Sequence, residues 1–540
     1  MSAYFTEEFT SSEQDILRRY FTNLDRPVFA LVNLPEVVKG ALFARYSRSP
    51  KSLRRLFLDE FVGELDIEGD ASIDATVGLA QAERLYDRIF FEYGDDSVAQ
   101  LGGIHLACEQ ASNLLTKILE WGRLAAYLEQ STRYIAYDAR ANGRYRYFRD
   151  PDVLSSDLGA RYIGDMDRLF EIYSGLIPVM TEYLRQTTPK SSSDSDFVYR
   201  SAIKAKALDA IRGILPAAAQ SNVGIYATGQ SYEQMLVRMR ADPLPEARLY
   251  ADLMLDELRK VIPSFVKRVD LPDRGQVASD YLEQNRAAME AVTSELLGDP
   301  EVYDDDERVE LIDFDPDAEV KLVASMLYPY SHLAEADIEA KVREMSVDDR
   351  LRVIRAYTGD RGNRRHRPGR ALERPFYRFD VLADYGAFRD LQRHRMLTVE
   401  WQKLNPRHGY TRPSLVDEIG ATDRFDDAME RSAGLYDALH ERGFEAQASY
   451  AVSLAYRLRF NLNLNARSAM HTTELRSTPQ GHPAYRSVAQ KMHKLIAERA
   501  GHHAIAAMMS FVNHSSEAEL ERLEAERRAE AKRTGSAGQL

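Results

Sequence analysis

Residues 388–398 read Phe-Arg-Asp-Leu-Gln-Arg-His-Arg-Met-Leu-Thr. The apolar run from Phe388 to Leu391 is typical of the last turns of a helix, so Arg393-His394-Arg395 should lie at its C-terminal end. The helix macrodipole favours cations there, and two guanidinium groups beside an imidazole can hold an anionic ligand. Arg and His also occur at helix ends on ordinary surfaces, so the triplet alone leaves both interpretations open.

A second triplet of the same residue types, Arg365-His366-Arg367, stands in a different context. Pro368 and Gly369 follow it, and such a pair is typical of a loop. This basic loop, residues 364–370, is either a plain solvated loop or a contact for an anionic ligand.

The charge balance limits the partners of the chain. Its 540 residues carry a net charge of −13, so we expect no nucleic acid, and any anion must be held by a local basic pocket. The length predicts two or more domains. The single cysteine, Cys108, is expected to be a buried small hydrophobe. No apolar run reaches the ~20 residues of a spanning helix, so we expect a cytoplasmic protein with no membrane contact.

Helical periodicity dominates the chain. We expect helices at 34–46, 51–62 and 73–93, then one that carries Leu106 and Leu119, and further helices from Ala202 to Met239. Between them Glu129, Ser131 and Arg133 alternate, so an extended segment would point all three to one side. The alternative for this segment is a polar edge strand without a ligand.

The pattern of the first half returns in outline after an acidic stretch, residues 298–317, which we interpret as a solvated junction. We therefore predict a diverged tandem duplication, with a first repeat at 1–297, a second repeat at 298–516 and a charged helical tail at 517–540. The predicted fold class is α+β and mainly helical, with a modest sheet in each half and the repeats forming a pseudo-twofold pair.

Motifs in both halves carry a family resemblance. The second half has Gln392-Arg393-His394-Arg395, followed by Asn465-Ala466-Arg467-Ser468, His471, Leu475-Arg476 and Gly481-His482. The first half has Tyr127-Leu128-Glu129-Gln130-Ser131-Thr132-Arg133-Tyr134 and Arg212-Gly213-Ile214-Leu215-Pro216. In this order and spacing the chain resembles the flavin-dependent thymidylate synthase family, whose members are usually about half as long and form homotetramers.

The resemblance implies a role for each matching residue. The residues that would bind dUMP are Glu129, Ser131, Arg133 and Arg212. Those that would bind FAD are Arg393, His394, Arg395, Asn465, Arg467 and His471. Arg476 would be catalytic at the uracil edge, where it stabilises negative charge, because a guanidinium group does not lose its proton at neutral pH.

The departures from the family pattern are complementary. The first half has Trp121-Gly122-Arg123 in place of Arg-His-Arg, and Gln230 in place of the arginine matched by Arg467. The second half has Val399 to Leu404 where the family has Glu-x-Ser-x-Arg. Since family sites are built across subunits, the resemblance implies one composite site per chain, with nucleotide contacts from the first repeat and flavin contacts from the second.

The resemblance also implies the reaction and the partners. Methylenetetrahydrofolate would donate a carbon to dUMP, NADPH would reduce the FAD, and two chains would form a homodimer that imitates the tetramer. One alternative is a purely structural partner of another, complete synthase. The other is a flavin- or nucleotide-binding relative that has lost the synthase reaction and serves as a binding or regulatory module. Asp390, where the family usually has a nucleotide-contacting glutamine, favours this alternative, and Arg374 replaces a flavin-side histidine. The spacing of His471 and His482 fits no helical metal pair, so we expect no metal.

Overall fold

The computed structural model describes residues 4–34, 49–60, 103–191, 195–298 and 305–515, together with the single positions 39, 42, 43, 46, 62, 300 and 303. The helices predicted at 73–93 and 517–532, and most of the one at 34–46, lie outside the described residues. In the described part of the chain, no helix has both the length and the apolar character needed to cross a bilayer.

Helices alternate with short groups of strands in both halves of the chain. The described elements of the first half are α1 Ser11–Leu17, β1 Val28–Ala30, α2 Leu53–Glu60, β2 Gly103–Ser112, α3 Asn113–Leu119, β3 Ala125–Glu129, α4 Pro151–Ser155, α5 Gly159–Thr187, α6 Asp196–Ile211, β4 Gln220–Thr228, α7 Gly229–Arg240, α8 Pro245–Arg259, α9 Pro263–Val266 and α10 Gly275–Leu296. Those of the second half are β5 Arg308–Phe314, α11 Ala318–Leu327, α12 Glu335–Glu344, α13 Val347–Thr358, β6 Phe376–Asp384, α14 Tyr385–Leu391, β7 Thr398–Trp401, α15 Ser414–Glu418, α16 Thr422–Glu441, α17 Glu445–Ala448, β8 Arg457–Asn465, α18 Ala466–Arg476, α19 Pro483–Glu498 and α20 His503–Met508.

The chain divides into two compact units that do not follow the two halves of the sequence. Unit 1 contains Met1–Ser174, Leu215–Tyr303 and Asp426–Val452. Unit 2 contains Gly175–Ile214, Asp304–Phe425 and Ser453–Leu540. Each unit therefore includes a segment from the other half, and Arg212 of the first half belongs to unit 2.

Each unit is built on one four-stranded antiparallel sheet. The strand order is β1-β2-β4-β3 in unit 1 and β5-β6-β8-β7 in unit 2, so the two sheets share one topology. This architecture confirms the α+β, mainly helical fold class with a modest sheet in each half.

Local sequence explains the strands of unit 2. In β8 every second side chain is buried, from Leu458 to Leu464, as expected for a strand with one face on a core. β6 leads directly into α14, because Asp384 Oδ1 accepts a hydrogen bond from the Ala387 amide and caps the helix. Ser112 caps α3 after β2 in unit 1 in the same way.

Several local predictions are wrong. The helix predicted through Leu106 is strand β2 followed by α3, and β4 interrupts the helices predicted from Ala202 to Met239. β5 lies inside the stretch predicted to be a solvated junction. β2 is buried on both faces, so its sequence lacks the alternation of polar and apolar residues that would have distinguished a strand from a helix. Cys108 lies on this strand and is fully buried, as predicted for a small hydrophobe.

A buried carboxylate fixes the second-half segment of unit 1. Glu246 accepts hydrogen bonds from the Ser112 amide at 2.8 Å, from Ser112 Oγ at 2.5 Å and from the Tyr450 hydroxyl at 2.8 Å. Burial raises the pKa of Glu246 to about 7, although these hydrogen bonds act in the opposite direction.

This carboxylate makes the stability of the protein depend on pH. Because the pKa of Glu246 is about 7 when folded and 4.5 ordinarily, the folded protein binds more protons between these values, so stability falls as pH rises. Between pH 5 and pH 8 the free energy of unfolding should fall in the wild type and fall less in Glu246→Gln. We predict that the two decreases differ by an amount on the order of 3 kcal/mol. Differential scanning calorimetry measures this, with the exposed Glu182→Gln as the control. Equal pH dependence in the wild type and Glu246→Gln would contradict the assignment.

Candidate functional site

The triplet Arg393-His394-Arg395 begins one residue after α14 ends, since Gln392 is the C-cap of that helix. Its position at a helix end is therefore confirmed. Arg393 is exposed, Arg395 is half-buried and His394 is buried at 8% exposure. Only the two arginines of the triplet present their charged groups toward solvent.

His394 is held by two residues of α18. Arg476 Nε donates to His394 Nε2 at 2.8 Å, so this ring nitrogen is an acceptor and the proton resides on Nδ1. His394 Nδ1 lies 3.2 Å from Thr472 Oγ1 and donates a hydrogen bond to that oxygen. Thr472 and Arg476 are four residues apart on one helix face, and this spacing lets both reach the same imidazole.

The histidines of this cluster are neutral at neutral pH. Burial, with the Arg476 charge as the next cause, holds the pKa of His394 well below its usual range. Burial and the charges of Arg367 and Arg364 lower the pKa of His471 to about 4. The His394 and His471 rings meet edge to face at 5.4 Å, and Arg367 Nη2 lies 3.2 Å from His471 Nδ1. The cluster therefore combines arginine charges with two uncharged imidazoles.

Asp390 is the acidic centre of the site. One of its carboxylate oxygens lies 3.6 Å from Arg476 Nη1 and 4.0 Å from Arg393 Nη1, and the other lies 3.8 Å from Arg212 Nη1. Three guanidinium groups thus surround one carboxylate, and because one negative charge cannot balance three positive ones, these four residues keep a net positive charge that can attract an anion. Arg212 comes from the first half of the sequence and the other three residues from the second.

Arg212 also lines a cavity of about 800 Å³ in unit 2. Its side chain is 5% exposed, and its Nη2 has no hydrogen-bond partner among the described residues. This nitrogen is buried, and a Cβ added at Gly386 would lie 3.3 Å from it, so the glycine leaves room beside the guanidinium group. Asp384 lines the same cavity, and burial raises its pKa to about 6. Arg476 and His394 do not line this cavity. Arg212 therefore belongs both to the cavity wall and to the arginine cluster around Asp390.

The other predicted flavin residues have structural partners. Asn465 caps α18, because its Oδ1 accepts a hydrogen bond from the Ser468 amide at 2.9 Å. Arg467 Nη1 donates to Glu373 at 3.0 Å. His482, a motif residue that was not assigned to the flavin, caps α19, and its Nε2 lies 3.2 Å from the Asp209 carbonyl.

Unit 1 contains the remaining predicted nucleotide residues. Glu129 is 4% exposed and accepts a hydrogen bond at 3.2 Å from Lys117, which also binds Glu120 at 2.6 Å. Ser131 Oγ accepts the Arg133 amide at 3.2 Å, and Arg133 is buried at 9% exposure. The extended segment predicted through Arg133 is wrong, because β3 ends at Glu129 and the Ser131 carbonyl accepts the Ile135 amide in a turn.

The first-half counterpart of the Arg-His-Arg triplet differs in shape as well as charge. Trp121 is 41% exposed, with the Arg238 guanidinium 4.4 Å from the centre of its ring. A Cβ added at Gly122 would lie 2.7 Å from the Tyr127 hydroxyl. A histidine at residue 122 would therefore require Tyr127 to move.

Sequence reasoning missed the ion pair that supports this site. Arg361 Nη1 and Nη2 bind the two oxygens of Glu474 at 2.6 and 2.7 Å, with side-chain exposures of 4% and 2%. Arg361 Nε also donates to the His366 carbonyl at 2.7 Å, so the pair fixes the basic loop against α18. No local motif distinguishes Arg361 from its basic neighbours, because its partner is more than a hundred residues away.

Comparison with known sequences now identifies the family. A family model described as thymidylate synthase complementing protein matches residues 44–264 and, a second time, residues 310–501. The chain therefore belongs to this family, and the two matches confirm the predicted resemblance and are consistent with the tandem duplication.

Relatives of similar length occur in distant organisms. The UPF0159 protein of Chlamydia muridarum is 38% identical over 97% of this chain and 99% of its own length. The UPF0159 protein of Thermoplasma acidophilum is 30% identical over 92% of this chain and 99% of its own. Among solved structures, the UMP/dUMP methylase PolB from Streptomyces cacaoi, bound with 5-Br dUMP, is 18% identical with a TM-score of 0.31, and the match covers 39% of this chain and 100% of that chain.

Removal of Arg361 should destabilise unit 2. Arg361→Ala leaves the Glu474 carboxylate buried without a cation, so we expect a loss of about 3–5 kcal/mol in the free energy of unfolding. The double variant Arg361→Met, Glu474→Leu replaces the pair by apolar groups and should recover most of that loss. Urea unfolding measures both. A double variant no more stable than Arg361→Ala would contradict this role.

Proposed function

We propose that the chain is a flavin-dependent thymidylate synthase that converts dUMP to dTMP. One observation carries the proposal: Arg212 of the first half and Arg476 of the second approach the same carboxylate, at 3.8 and 3.6 Å. Both arginines match family motif positions, and membership of the family supports the reaction class.

The nucleotide would bind where the three arginines meet. The phosphate of dUMP is a dianion, and guanidinium groups pair with phosphate oxygens in a bidentate manner. Arg212 and Arg393 supply such groups, and the Arg212 Nη2 has no hydrogen-bond partner among the described residues. Binding would exchange the long contacts with Asp390 for shorter ones with the nucleotide. That Glu129, Ser131 and Arg133 of unit 1 bind a nucleotide stays a prediction.

Arg476 is proposed to act on the pyrimidine ring. Arg476 Nε donates a hydrogen bond to His394 Nε2 at 2.8 Å, and the Arg476 guanidinium group lies 5.4 Å from the centre of the Tyr485 ring. These two contacts orient the Arg476 side chain before a ligand binds. A guanidinium group in this position stabilises negative charge that develops on the pyrimidine. His394 is then a positioning residue, which keeps Arg476 in place through its neutral imidazole.

The side chains around His471 fit an anionic, acceptor-rich group such as FAD. Arg367 supplies a cationic donor 3.2 Å from His471 Nδ1, Arg364 adds a second charge nearby, and His471 is a half-buried neutral imidazole. These residues would hold the flavin, with Arg467 and Asn465 at the start of α18. When bound and reduced by NADPH, FAD supplies the hydride, and methylenetetrahydrofolate supplies the carbon.

Two arginine variants test the nucleotide site. Each charge-assisted hydrogen bond contributes about 1.5–3 kcal/mol, so Arg212→Gln and Arg476→Ala should each weaken dUMP binding about tenfold or more. Calorimetric titration measures the affinity, and the unfolding midpoint of each variant is recorded alongside. Arg352→Gln, on the exposed surface of α13, is the matched control. Wild-type dUMP affinity in both site variants would contradict the assignment.

A regulatory module without synthase activity is the second candidate. Asp390 favours it, since a carboxylate among the arginines competes with an anionic substrate. Rescue of a thymidine-requiring strain by the wild type, and loss of rescue in Arg476→Ala, would support the synthase. A protein that binds flavin and dUMP yet fails to rescue would support the module.

A further inference from the structure

Unit 1 contains a cavity that the proposed synthase site does not use. It has a volume of about 700 Å³ and lies between the start of α2, the end of β2, the loop at 141–149 and the start of β4. None of the eleven residues assigned above to dUMP, FAD or catalysis lines it. Gln130 lines it, but its side chain binds the Ser49 carbonyl, whereas the adjacent Glu129 binds Lys117. The two side chains point to opposite faces, as neighbours in extended chain do.

The cavity is basic, although the chain as a whole is acidic. Seven basic and three acidic residues line it. Some of the basic side chains have carboxylate partners: Arg55 binds Glu7 and Glu13, and Arg26 binds Asp256. Others line the cavity without such neutralisation.

Two arginines carry this uncompensated charge, and a third, Arg54, is only partly neutralised. Arg146 and Arg149 donate to backbone carbonyls and make no ion pair with a described carboxylate. Arg54 is 4% exposed, its Nη2 donates to the Arg26 carbonyl at 2.6 Å, and it pairs with Glu109 at 4.0 Å, but its Nε has no hydrogen-bond partner among the described residues. A buried guanidinium group with an unmade hydrogen bond is costly unless a ligand completes the site.

These guanidinium groups are fixed in place. Arg54 lies over the Phe29 ring at 4.0 Å, Arg146 over Tyr137 at 4.6 Å and Arg149 over Tyr147 at 3.9 Å. Stacking on an aromatic face holds the planar group in one orientation, so little side-chain entropy is lost when a ligand binds.

Side-chain amides form another part of the wall. Gln110 has a φ of 57°, at a bulge where β2 shifts register, and its backbone N–H donates to the side-chain Oδ1 of Asn222 at 2.9 Å. The side-chain amides of Gln220 and Asn142 make no hydrogen bond with a described residue. Such amides can pair with the donor and acceptor edge of a nucleobase.

We propose that this cavity binds a nucleoside polyphosphate. Three fixed guanidinium groups match a chain of phosphates rather than a single anion, and the amides match a base edge. The volume is within the range of small-molecule sites and much larger than a bare phosphate requires. The residues that line this cavity are separate from those of the proposed synthase site.

Calorimetric titration of the full chain with dTTP tests the proposal, with inorganic tripolyphosphate as the ligand that lacks a nucleoside. Arg146→Gln combined with Arg149→Gln should weaken dTTP binding about tenfold or more. Asn142→Asp, at an exposed position that keeps its backbone conformation, should also weaken binding, because it adds a negative charge at the rim. Arg168→Gln, on the exposed surface of α5, is the control and should bind as the wild type does.

Three results would overturn the proposal. The first is no dTTP binding by the wild type. The second is binding that survives the Arg146 and Arg149 substitutions but is lost in Arg476→Ala, which would place dTTP in unit 2. The third is tripolyphosphate binding as tightly as dTTP, which would remove the nucleoside from the assignment. Tighter binding of dTTP than of tripolyphosphate, lost in both cavity variants and kept in Arg476→Ala, would support it.

Discussion

The short turn from Arg212 to Ile214 belongs to unit 2, and the candidate site depends on that placement. The Ala455 amide donates to the Gly213 carbonyl at 2.9 Å, and Ser453 Oγ donates to the Ile214 carbonyl at 3.0 Å. These bonds fix the backbone of a first-half segment against second-half residues, and they carry the Arg212 side chain to Asp390. Unit 1 uses the reverse exchange, since the Ala217 amide donates to the Val452 carbonyl at 2.8 Å. Neither half of the sequence contains all the residues of one unit.

Electrostatics explains how unit 2 accommodates several guanidinium groups close together. Asp390 offsets part of the repulsion among Arg212, Arg393 and Arg476 at distances of 3.6–4.0 Å, but one carboxylate cannot neutralise three guanidinium groups. The two imidazoles remain uncharged, so they add hydrogen-bonding capacity without further repulsion. The excess positive charge of this cluster favours the binding of an anionic ligand.

The sequence predicted the fold class, the position of the Arg-His-Arg triplet and the family, because these depend on local patterns and fixed motif order. It failed for β2, whose burial on both faces has no period of two. β8 was predictable, since its residues from Arg457 to Asn465 alternate strictly between polar and apolar. The exchange of segments between units and the pairing of Arg361 with Glu474 were not, because both depend on contacts between distant parts of the chain. The contact between Arg212 and Asp390 also joins distant parts of the chain, so the sequence could not predict it either.

The central claim is that unit 2 needs its first-half segment, and separate expression of the halves tests it most directly. Residues 298–540 alone lack Gly175–Ile214, so they should unfold without a cooperative transition and bind no dUMP. Co-expression with residues 1–297 should restore a cooperative transition and dUMP affinity near that of the intact chain. A fragment of residues 298–540 that folds cooperatively by itself and binds dUMP as the intact chain does would contradict the account.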